Sequence, residues 1–497
     1  MRDHILALDE GTTSARAVLF DREGTPCASG SVEFSQSYPR PGWVEQNPEE
    51  ILSCQRRAVE LCLERAALSP DRLLAIGLAN QRETVVLWDK ATGKSVAPAI
   101  GWQCRRTAAA CEELAAAGLE PMIHQKTGLR LDPYFSASKL SYLLNTIPNA
   151  KEKAARGEWL FGTVDSFLLW HLTQGRVHKT DPTNASRTML FNIQTGDWDE
   201  ELLSLFGVPR ACLPEVASSA EIYGETEIGG VAVPIAGIAG DQQAALFGQG
   251  CTRAGEMKAT YGTGLFLLSH TGQSPVFSSS GLLTTLAATP QGAPLQYALE
   301  GSVFTGGDVV RWLRDELGFF ERAADIEALA RQAKTEGVFL VPAFTGLGAP
   351  YWDPQARASL LGLTRACGRA EIARAALDAI AFSCADVLAL LRRESGHPIP
   401  SMRVDGGATA NNLLLQIQAD LADVTVLRPP VREATARGAA LLAGCTLGLW
   451  SPDRLPDPPQ QPDSFSPSLP DDRRRTLQGG WQRAVAATRS FTGGPLS

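Results

Sequence analysis

The chain has 497 residues, of which 44% are hydrophobic and 20% charged, so it is predicted to be a soluble globular protein with more than one hydrophobic core. Its formal net charge of -8 is spread without a basic block, which argues against nucleic acid or an anionic membrane as the main partner. The longest apolar segments carry acidic residues and the N-terminus has no apolar signal sequence, which predicts a cytoplasmic protein without membrane insertion.

Cysteine and histidine spacing argues against disulfides and transition metals. Ten cysteines are scattered as single residues without a C-x-x-C pair, and they are expected to be reduced core residues. The six histidines have no H-E-x-x-H or other metal-ligand spacing. Any metal is therefore expected to be Mg²⁺ on oxygen ligands.

The first predicted element is a hairpin over residues 5–21, in which two apolar strands flank a Gly-Thr-Thr turn. Asp9 ends the first strand, and the turn offers backbone N–H groups and the hydroxyls of Thr12, Thr13 and Ser14. Loops of this kind hold phosphate without a Walker sequence. The turn is therefore a candidate phosphate loop.

A second candidate site follows the next predicted strand. Residues 48–68 have helical periodicity, and residues 73–78 form a buried strand that runs into the polar sequence Asn-Gln-Arg-Glu-Thr at 80–84. A polar run at a strand end indicates a site, although Arg82 and Glu83 alone could equally be an exposed ion pair. Further on, the Gly-Lys-Ser sequence at 93–95 is not a P-loop, because its required first glycine falls at Trp88.

The middle of the chain contains a strand, an acidic turn and a helix, over residues 233–250. Asp241 lies at the turn. A carboxylate at the carboxyl end of a strand, beside a helix N-terminus, is typical of reacting groups in α/β proteins. Helix capping is the alternative and commoner role of an Asp at such a position.

The second half of the chain repeats these patterns. Residues 256–269 form another hairpin with a Gly-Thr tip, and residues 402–416 repeat the strand, acidic turn and helix of the Asp241 segment. We expect a duplicated α/β unit with a cleft between the copies, residues 1–250 and 251–497. The longer first half then carries insertions that hold the Arg82, Trp102 and Tyr134 segments.

Five short motifs follow one another along the chain. They are Leu-Asp-Glu-Gly-Thr-Thr at 8–13, Gly-Asp-Gln-Gln at 240–243, Tyr-Gly-Thr-Gly at 261–264, Gly-Leu-Gly-Ala-Pro-Tyr-Trp-Asp at 346–353 and Asp-Gly-Gly-Ala at 405–408. In this order they resemble the carbohydrate kinases of the FGGY family, in the actin, Hsp70 and sugar-kinase superfamily, from about residue 5 to about residue 445. The resemblance implies two ribonuclease-H-like domains that clamp ATP between them, with the nucleotide bound mainly by the second.

Within the family, residues 80–84, 102–107 and 132–136 are most similar to the members that phosphorylate glycerol. A triol with a short hydrocarbon backbone needs charged hydrogen-bonding groups and flat apolar walls. The resemblance implies that Trp102 and Phe266 are the walls. Carried over by motif position, the residues expected to bind glycerol are Arg82, Glu83, Trp102, Tyr134, Asp241, Gln242 and Phe266.

The resemblance also implies ATP-dependent formation of sn-glycerol 3-phosphate by a homodimer or homotetramer. Asp241 is then the general base, and Asp9 holds Mg²⁺, with Asp241 as the second metal-site residue. The residues expected to bind the nucleotide and its phosphates are Thr12, Thr13, Ser14, Arg16, Thr263, Gly306, Gly307, Val310, Gly407 and Asn411.

Alternatives remain open at this point. Trp102 and Phe266 could be ordinary core residues, and Tyr134 could anchor a loop. The chain could phosphorylate another small polyol or a ketose. A non-catalytic nucleotide switch of the actin or Hsp70 type is the alternative from another class of protein.

The chain departs from the family pattern at several positions. Glu10 replaces the usual Gln and is expected to point away from the phosphates, pair with a cation or bind metal, and Ala358 replaces a usual Gly. The segment 228–235 lacks the basic residue of the bacterial form, so inhibition by fructose 1,6-bisphosphate is expected to be weak or absent. Residues 217–223 contain no His, so control by histidine phosphorylation is not expected either.

Overall fold

The computed structural model describes residues 2–431, 433–457 and 460–491. The strands of the first half are β1 (His4–Glu10), β2 (Ser14–Phe20), β3 (Pro26–Glu33), β4 (Gln36–Ser37), β5 (Glu45–Gln46), β6 (Leu73–Asn80), β7 (Val86–Asp89), β8 (Ala99–Ile100), β9 (Trp159–Gly162), β10 (Lys179–Thr180), β11 (Phe191–Asn192), β12 (Asp197–Trp198), β13 (Glu215–Val216), β14 (Gly224–Ile228) and β15 (Val231–Gly240). Its helices are α1 (Pro48–Ala66), α2 (Ala108–Ala116), α3 (Glu120–Thr127), α4 (Ser136–Thr146), α5 (Ala150–Ala155), α6 (Val164–Leu172), α7 (Pro182–Ala185), α8 (Glu200–Phe206) and α9 (Asp241–Gly248).

The second half has fewer and longer helices. Its strands are β16 (Met257–Tyr261), β17 (Leu265–Gly272), β18 (Leu283–Ala287), β19 (Gln296–Val303), β20 (Phe339–Val341), β21 (Ser359–Leu361), β22 (Ser401–Asp405), β23 (Thr425–Arg428) and β24 (Asp463–Phe465). Its helices are α10 (Asp308–Asp315), α11 (Ile326–Ala330), α12 (Arg369–Glu394), α13 (Asn412–Ala422), α14 (Ala434–Thr446) and α15 (Asp471–Ser490). Among the described residues, no helix combines the length and the apolar character needed to cross a bilayer.

The first large sheet has the strand order β14-β15-β6-β1-β2-β3. Its central strands β15, β6 and β1 are parallel, and β1 forms the predicted antiparallel hairpin with β2. Residues Ile5 to Leu8 form a continuous buried apolar run, as expected for a strand covered on both faces. The register places Asn80 beside both Glu10 and Gly240, so three strands end at the same edge of the sheet.

The second large sheet has the order β18-β19-β17-β16-β22-β23-β24 and repeats the plan of the first. In each sheet an antiparallel meander (β1-β2-β3 or β16-β17-β19) is extended by two parallel strands (β6 and β15, or β22 and β23). The duplicated α/β plan is confirmed. The predicted equivalence of Asp405 with Asp241 is wrong. Asp405 ends β22, which lies beside the hairpin strand β16, and the strand in the same place in the first sheet is β6, beside β1. The counterpart of Asp405 is therefore close to Asn80, at the end of β6.

Helix α1 illustrates how local sequence fixes an element. Asn47 is the N-cap, and its side chain accepts hydrogen bonds from the backbone N–H groups of Glu49 and Glu50. Pro48 occupies the first helical position, where no N–H is needed, and Ala67 ends the helix in a left-handed conformation. The buried residues of α1 recur at helical spacing, so the helix predicted over residues 48–68 is confirmed.

Helix α14 returns from the second half of the chain to the first sheet. It packs on β1, β6, β15 and α9, and its alanines and leucines belong to one apolar core with Ile5, Ala75 and Ala236. The contact is close because glycines remove side-chain bulk: a Cβ at Gly77 would lie 2.0 Å from the carbonyl oxygen of Ala439. The domain boundary between residues 250 and 251 stays a prediction. Helix α14 belongs to the second predicted domain by sequence but packs on the sheet of the first.

The insertions of the first half build a core of their own. This core includes Phe135, Leu140 and Phe161, and it also contains Leu283 of β18 and Tyr297 of β19. The insertions therefore join the first half to the outer strands of the second sheet. Met1 and residues 492–497, at the ends of the two predicted domains, lie outside the described residues.

The packing of α14 against α9 predicts the effect of a single methyl group. A Cβ at Gly438 would lie 1.8 Å from the carbonyl oxygen of Ala244 in α9. Gly438→Ala must therefore separate the two helices, and we expect it to lower the free energy of unfolding in urea by about 3 kcal/mol or more. Gly479→Ala in α15 is the matched control, because the new Cβ would meet its nearest atom at 3.6 Å. The control should be neutral or stabilising by up to about 1 kcal/mol; equal stability of the two variants would contradict the close contact.

Candidate active site

The site forms where β1, β6 and β15 end. Asp9 and Glu10 close β1, the polar segment 80–84 follows β6, and Asp241 follows Gly240 at the end of β15. The backbone N–H of Gln81 donates to the carbonyl oxygen of Glu10 at 2.7 Å. Because neighbouring parallel strands end together, three segments far apart in sequence converge at this edge.

The guanidinium group of Arg82 is the most heavily bonded group of the site. Its Nη1 donates to Glu300 Oε2 at 2.6 Å and to Gln243 Oε1 at 3.2 Å. Its Nη2 donates to Glu300 Oε1 at 3.2 Å and to the hydroxyl of Tyr134 at 3.4 Å. Its Nε lies 3.2 Å from Asp241 Oδ1. Every nitrogen of the group thus has an oxygen neighbour.

Arg187 completes a buried cluster of four charges with Arg82, Glu83 and Glu300. Its Nε donates to Glu83 Oε1 at 2.6 Å and its Nη2 to Glu300 Oε1 at 3.0 Å. Arg187 and Glu300 are 0% exposed, Glu83 is 1% and Arg82 is 3%. The alternative of an exposed Arg82–Glu83 pair is wrong, since both side chains are buried and each has a closer partner from elsewhere in the chain.

The two carboxylates of this cluster respond differently to burial. Burial raises the pKa of Glu300, but the opposing charges of Arg187 and Arg82 outweigh it and lower that pKa to about 2. For Glu83 burial dominates over the same two arginines, so its pKa is raised. Glu83 also has a φ of 62°, a left-handed conformation that a non-glycine residue adopts only where its surroundings impose it.

Asp241 is the first residue of α9 and is not its cap. The N-cap is Gly240, where a Cβ would lie 2.7 Å from Arg82 Cγ, so only glycine leaves room for that side chain. The Asp241 carboxylate accepts the backbone N–H of its neighbour Gln242 at 2.7 Å. Its side chain is 30% exposed, so it is accessible while Glu83 and Glu300 are not.

Gln242 connects Asp241 with a buried lysine of the second sheet. Its Oε1 accepts a hydrogen bond from Lys258 Nζ, which also donates to Thr260 Oγ1 at 2.8 Å. Burial lowers the pKa of Lys258 to about 8, against the opposing effect of Asp405 and Asp241. The bond fixes the amide of Gln242 with its nitrogen towards Asp241 Oδ2, at 3.4 Å.

Three aromatic side chains meet beside these charges. The ring of Trp102 lies edge-on to Tyr134 at 5.6 Å and to Phe266 at 6.4 Å between centroids. Trp102 and Phe266 are partly buried, so each keeps exposed surface, while Tyr134 is buried against Arg82. The indole N–H of Trp102 donates to Thr12 Oγ1 at 3.1 Å, which ties this wall to the first hairpin.

The tip of the first hairpin is a tight turn in which the backbone N–H of Gly11 donates to the carbonyl oxygen of Ser14 at 2.9 Å. Thr13 is exposed, and Thr12 and Ser14 are partly buried. Arg16 forms an ion pair with Glu433, the residue that precedes α14.

The acidic residues at the end of β1 are both perturbed. Burial raises the pKa of Asp9 to about 7, with Arg16 opposing the shift and Glu433 and Asp241 adding to it. Glu10 is 0% exposed, and Gln81 Nε2 donates to its two oxygens at 3.2 and 3.3 Å. Among the described residues Glu10 pairs with no cation, so that one of the three expectations is wrong, while orientation away from the phosphates and metal binding stay predictions.

The glycines predicted to bind the nucleotide form one cluster. The backbone N–H of Gly306 donates to the carbonyl oxygen of Thr263 at 2.6 Å, and that of Gly307 donates to Gly262 at 2.8 Å. A Cβ at Gly307 would lie 4.0 Å from Ala408, and a Cβ at Gly407 would meet no atom within 4 Å. The structure thus brings Thr263, Gly306, Gly307 and the 407–408 loop together beside open space.

The other two predicted nucleotide residues have structural contacts already. Val310 lies in α10 and is buried in the core of the second half. Asn411 caps α13, with its Oδ1 accepting the backbone N–H of Leu414 at 2.9 Å. Val310 is therefore only 8% exposed and Oδ1 of Asn411 is already used by the cap, so nucleotide binding by these two residues stays a prediction.

The comparisons with known proteins agree over the whole chain. The family model of the N-terminal domain of FGGY carbohydrate kinases matches residues 4–248, and that of the C-terminal domain matches residues 257–447. The chain belongs to the FGGY family of carbohydrate kinases. Glycerol kinase of Shewanella oneidensis is 54% identical over 98% of this chain and 100% of that protein. Glycerol kinase of Symbiobacterium thermophilum is 52% identical over 99% of each chain.

Solved structures extend the likeness. The structure of Plasmodium falciparum glycerol kinase with ADP has a TM-score of 0.89 and 33% identity, covering 98% of each chain. Gluconate kinase of Lactobacillus acidophilus has a TM-score of 0.87 at 22% identity, covering 99% of each chain, and shows the fold alone. The FGGY fold expected from the sequence is confirmed.

Sequence reasoning missed four residues of this FGGY kinase site: Glu300, Arg187, Lys258 and Gln243. Glu300 and Lys258 are lone charges within apolar strands, and that signal could have marked them, because a buried charge needs a partner. Arg187 follows the short helix α7 without any recognisable pattern. Gln243 lies in the recognised Gly-Asp-Gln-Gln motif, but only the structure shows that it accepts from Arg82.

The raised pKa of Asp9 predicts a stability effect that depends on pH. Because the folded pKa of about 7 exceeds the ordinary value of 3.8, the folded state holds the proton longer, and the wild type loses stability as pH rises from about 4 to 7. Asp9→Asn should not lose stability in this way, because the Asn side chain does not titrate. In metal-free urea unfolding we expect it to be more stable than the wild type by about 1–3 kcal/mol at pH 8, and by less at pH 5. The exposed Asp71→Asn is the control and should change little at either pH. An Asp9→Asn effect independent of pH would contradict the raised pKa.

Proposed function

We propose that the protein transfers the γ-phosphoryl group of ATP to glycerol and forms sn-glycerol 3-phosphate and ADP. The observation that carries the choice of substrate is the identity of 52–54% with glycerol kinases along nearly the whole chain. The site is compatible with it, since a small cleft is bordered by charged donors and acceptors and by aromatic rings. Homodimer or homotetramer formation and a cytoplasmic location remain predictions.

The proposed glycerol site combines two kinds of contact. Glycerol hydroxyls both donate and accept; Asp241 is the accessible acceptor, and Nε of Arg82 and the amide nitrogen of Gln242 are the donors beside it. Glu83 is assigned to the site by its motif position, although its side chain is buried against Arg187. The hydroxyl of Tyr134 adds a further polar contact. The exposed faces of Trp102 and Phe266 would then contact the carbon backbone, and the small space between them would exclude larger sugars.

Asp241 is the proposed general base. It is the accessible carboxylate of the cleft, whereas Glu83 and Glu300 are each held by an arginine. Phosphoryl transfer requires chiefly alignment and charge neutralisation, and Asp241 would accept the proton of the attacking hydroxyl. Closure of the cleft around both substrates would exclude water that otherwise hydrolyses ATP.

The proposed metal residues fit Mg²⁺ by their chemistry. Asp9 is an oxygen donor whose raised pKa reflects burial and neighbouring negative charge, and the nearby cation Arg16 is already paired with Glu433. A divalent cation would relieve this repulsion. Asp9, with Asp241 nearby, would hold Mg²⁺, which supplies charge neutralisation at the β- and γ-phosphates.

The proposed nucleotide contacts come from both halves. Thr12, Thr13, Ser14 and Arg16 would bind phosphate from the first hairpin, and Thr263 from the second. Because glycine has no Cβ, the nucleotide could lie close to the backbone of the glycine cluster. The remaining contacts are assigned to Gly306, Gly307, Val310, Gly407 and Asn411.

One assay separates glycerol phosphorylation from the two alternatives named from the sequence. A family member for another small polyol or a ketose would release ADP with that substrate and not with glycerol. A nucleotide switch would hydrolyse ATP slowly, at a rate that ignores polyols. Measurement of ADP release with and without glycerol, followed by a panel of polyols and ketoses, distinguishes the three.

The role of Asp241 predicts a separation of binding from turnover. Asp241→Asn keeps the size and polarity of the side chain but cannot accept the proton. We expect kcat to fall by about 10²- to 10⁴-fold, while the dissociation constants of ATP and glycerol, measured by calorimetry, change little.

Asp471→Asn is the matched control for this substitution. Asp471 is also the first residue of a helix, α15, and it pairs with Arg474 and Arg475 on the surface. Its substitution should leave kcat unchanged. Near-wild-type kcat in Asp241→Asn would remove Asp241 from the role of base.

A further inference from the structure

The contacts of the Arg82 guanidinium group fall into two sets: those of the two Nη atoms, called the Nη edge, and those of Nε. A guanidinium carries five N–H donors, two on each Nη and one on Nε. Glu300 accepts one bond from each Nη, while Gln243 and Tyr134 accept from the same two atoms. The remaining nitrogen, Nε, lies 3.2 Å from Asp241 Oδ1 and 3.8 Å from Glu83 Oε1.

This division matters because Asp241 and Glu300 are both carboxylates beside the guanidinium group of Arg82, and both can accept its N–H groups. Arginine and a carboxylate form their strongest pair through two parallel N–H bonds. Asp241 already lies 3.2 Å from Arg82 Nε, so a modest rotation of the guanidinium would offer it a second N–H. A carboxylate held in that way has its oxygens occupied and is a poor proton acceptor.

We propose that Glu300 is a positioning residue that holds the Nη edge of Arg82 away from Asp241 and so leaves the general base free for the substrate hydroxyl. Arg187 has the supporting role, because it binds Glu300 and Glu83 at once. The inference rests on the function proposed above for Asp241. It assigns a role in the reaction to two residues that are not expected to touch the substrate.

The position of Glu300 is itself strongly constrained. It lies on β19, which is hydrogen-bonded to β17 on one side and to β18 on the other, and Ser302 Oγ donates to its Oε1 at 3.0 Å. The guanidinium of Arg187 lies 5.2 Å from the ring centroid of Phe135 and 5.6 Å from that of Tyr134, which holds it between apolar walls. Glu300 and Arg187 are thus both held in place by contacts that do not involve Arg82.

The contact also spans the two halves of the chain. Arg82 follows β6 of the first sheet, whereas Glu300 belongs to the second sheet. The arrangement that leaves Asp241 free therefore exists only when the two sheets are packed as in this structure. The ion pair of Arg82 and Glu300 therefore links the packing of the two sheets to the accessibility of Asp241.

The test is Glu300→Gln, which keeps the shape but replaces one acceptor oxygen by an NH₂ donor that faces Arg82. We expect Arg82 to turn towards Asp241. For glycerol, kcat/KM should fall by about 10- to 100-fold, the range that corresponds to the loss of one charge-assisted hydrogen bond. The KM for ATP should change less than about twofold, because the nucleotide loops do not contact Glu300.

Two further variants make this test specific. Arg187→Lys keeps the positive charge but loses the planar group that binds Glu83 through Nε and Glu300 through Nη2. It should give a smaller defect of the same kind, and it keeps the proposal testable if Glu300→Gln folds poorly. Glu371→Gln is the matched control, because this buried glutamate accepts only backbone N–H groups of Lys334 and Gly368. It should lose stability without a selective change in glycerol kinetics.

A crystal structure of Glu300→Gln gives a readout that does not depend on substrate identity. Two Arg82 N–H groups on Asp241 would support the proposal, and an unmoved guanidinium would overturn it. Wild-type glycerol kinetics in both variants, or an equal rise of both KM values, would also overturn it. Failure of the proposed function has a different signature, since the wild type would then release no ADP in response to glycerol.

Discussion

The buried cluster of Arg82, Arg187, Glu83 and Glu300 is the interaction on which the rest of the site depends. Removing a charge from water costs several kcal/mol per ion, and the cluster offsets this cost only because each carboxylate touches an arginine and the four charges sum to zero. Loss of any one member would leave the other three buried residues with a net charge. The cluster therefore fixes the segment after β6, the segment after α7 and strand β19 relative to one another. Asp241 lies outside this neutral set and is left accessible.

The candidate site could be predicted from sequence wherever a local pattern marks a strand end. Asp9, Arg82 and Asp241 each follow an apolar run, and the carboxyl ends of neighbouring parallel strands meet for geometric reasons. Glu300 and Lys258 had no such pattern, since each is a single charge inside a strand whose partner lies far away in the chain. The role of Glu300 and Lys258 depends on which residues of other segments pack against them, and the spacing of residues along the chain does not indicate this.

The same limit explains what the repeat pattern predicted correctly and what it did not. The duplicated unit was predictable because hairpin tips and acidic turns recur in order. The counterpart of Asp405 was assigned to the wrong strand, because a strand followed by an acidic turn and a helix looks alike at both parallel positions of the sheet. Helix α14 was likewise ambiguous: its alanines fit any close packing, and only the glycine contacts with β6 and α9 show that it belongs to the first sheet.

Glu10 shows how structure can reverse an electrostatic argument made from sequence. An added carboxylate beside the phosphate turn suggests added negative charge. Burial raises its pKa well above the ordinary value, however, and the amide of Gln81 is its hydrogen-bond partner. A protonated carboxyl offers an O–H donor and a C=O acceptor in one plane, an arrangement similar to the carbonyl and one N–H of the glutamine side-chain amide. The raised pKa of Glu10 favours the neutral form, in which Glu10 resembles the usual Gln at this position and adds less negative charge to the turn than the sequence suggests.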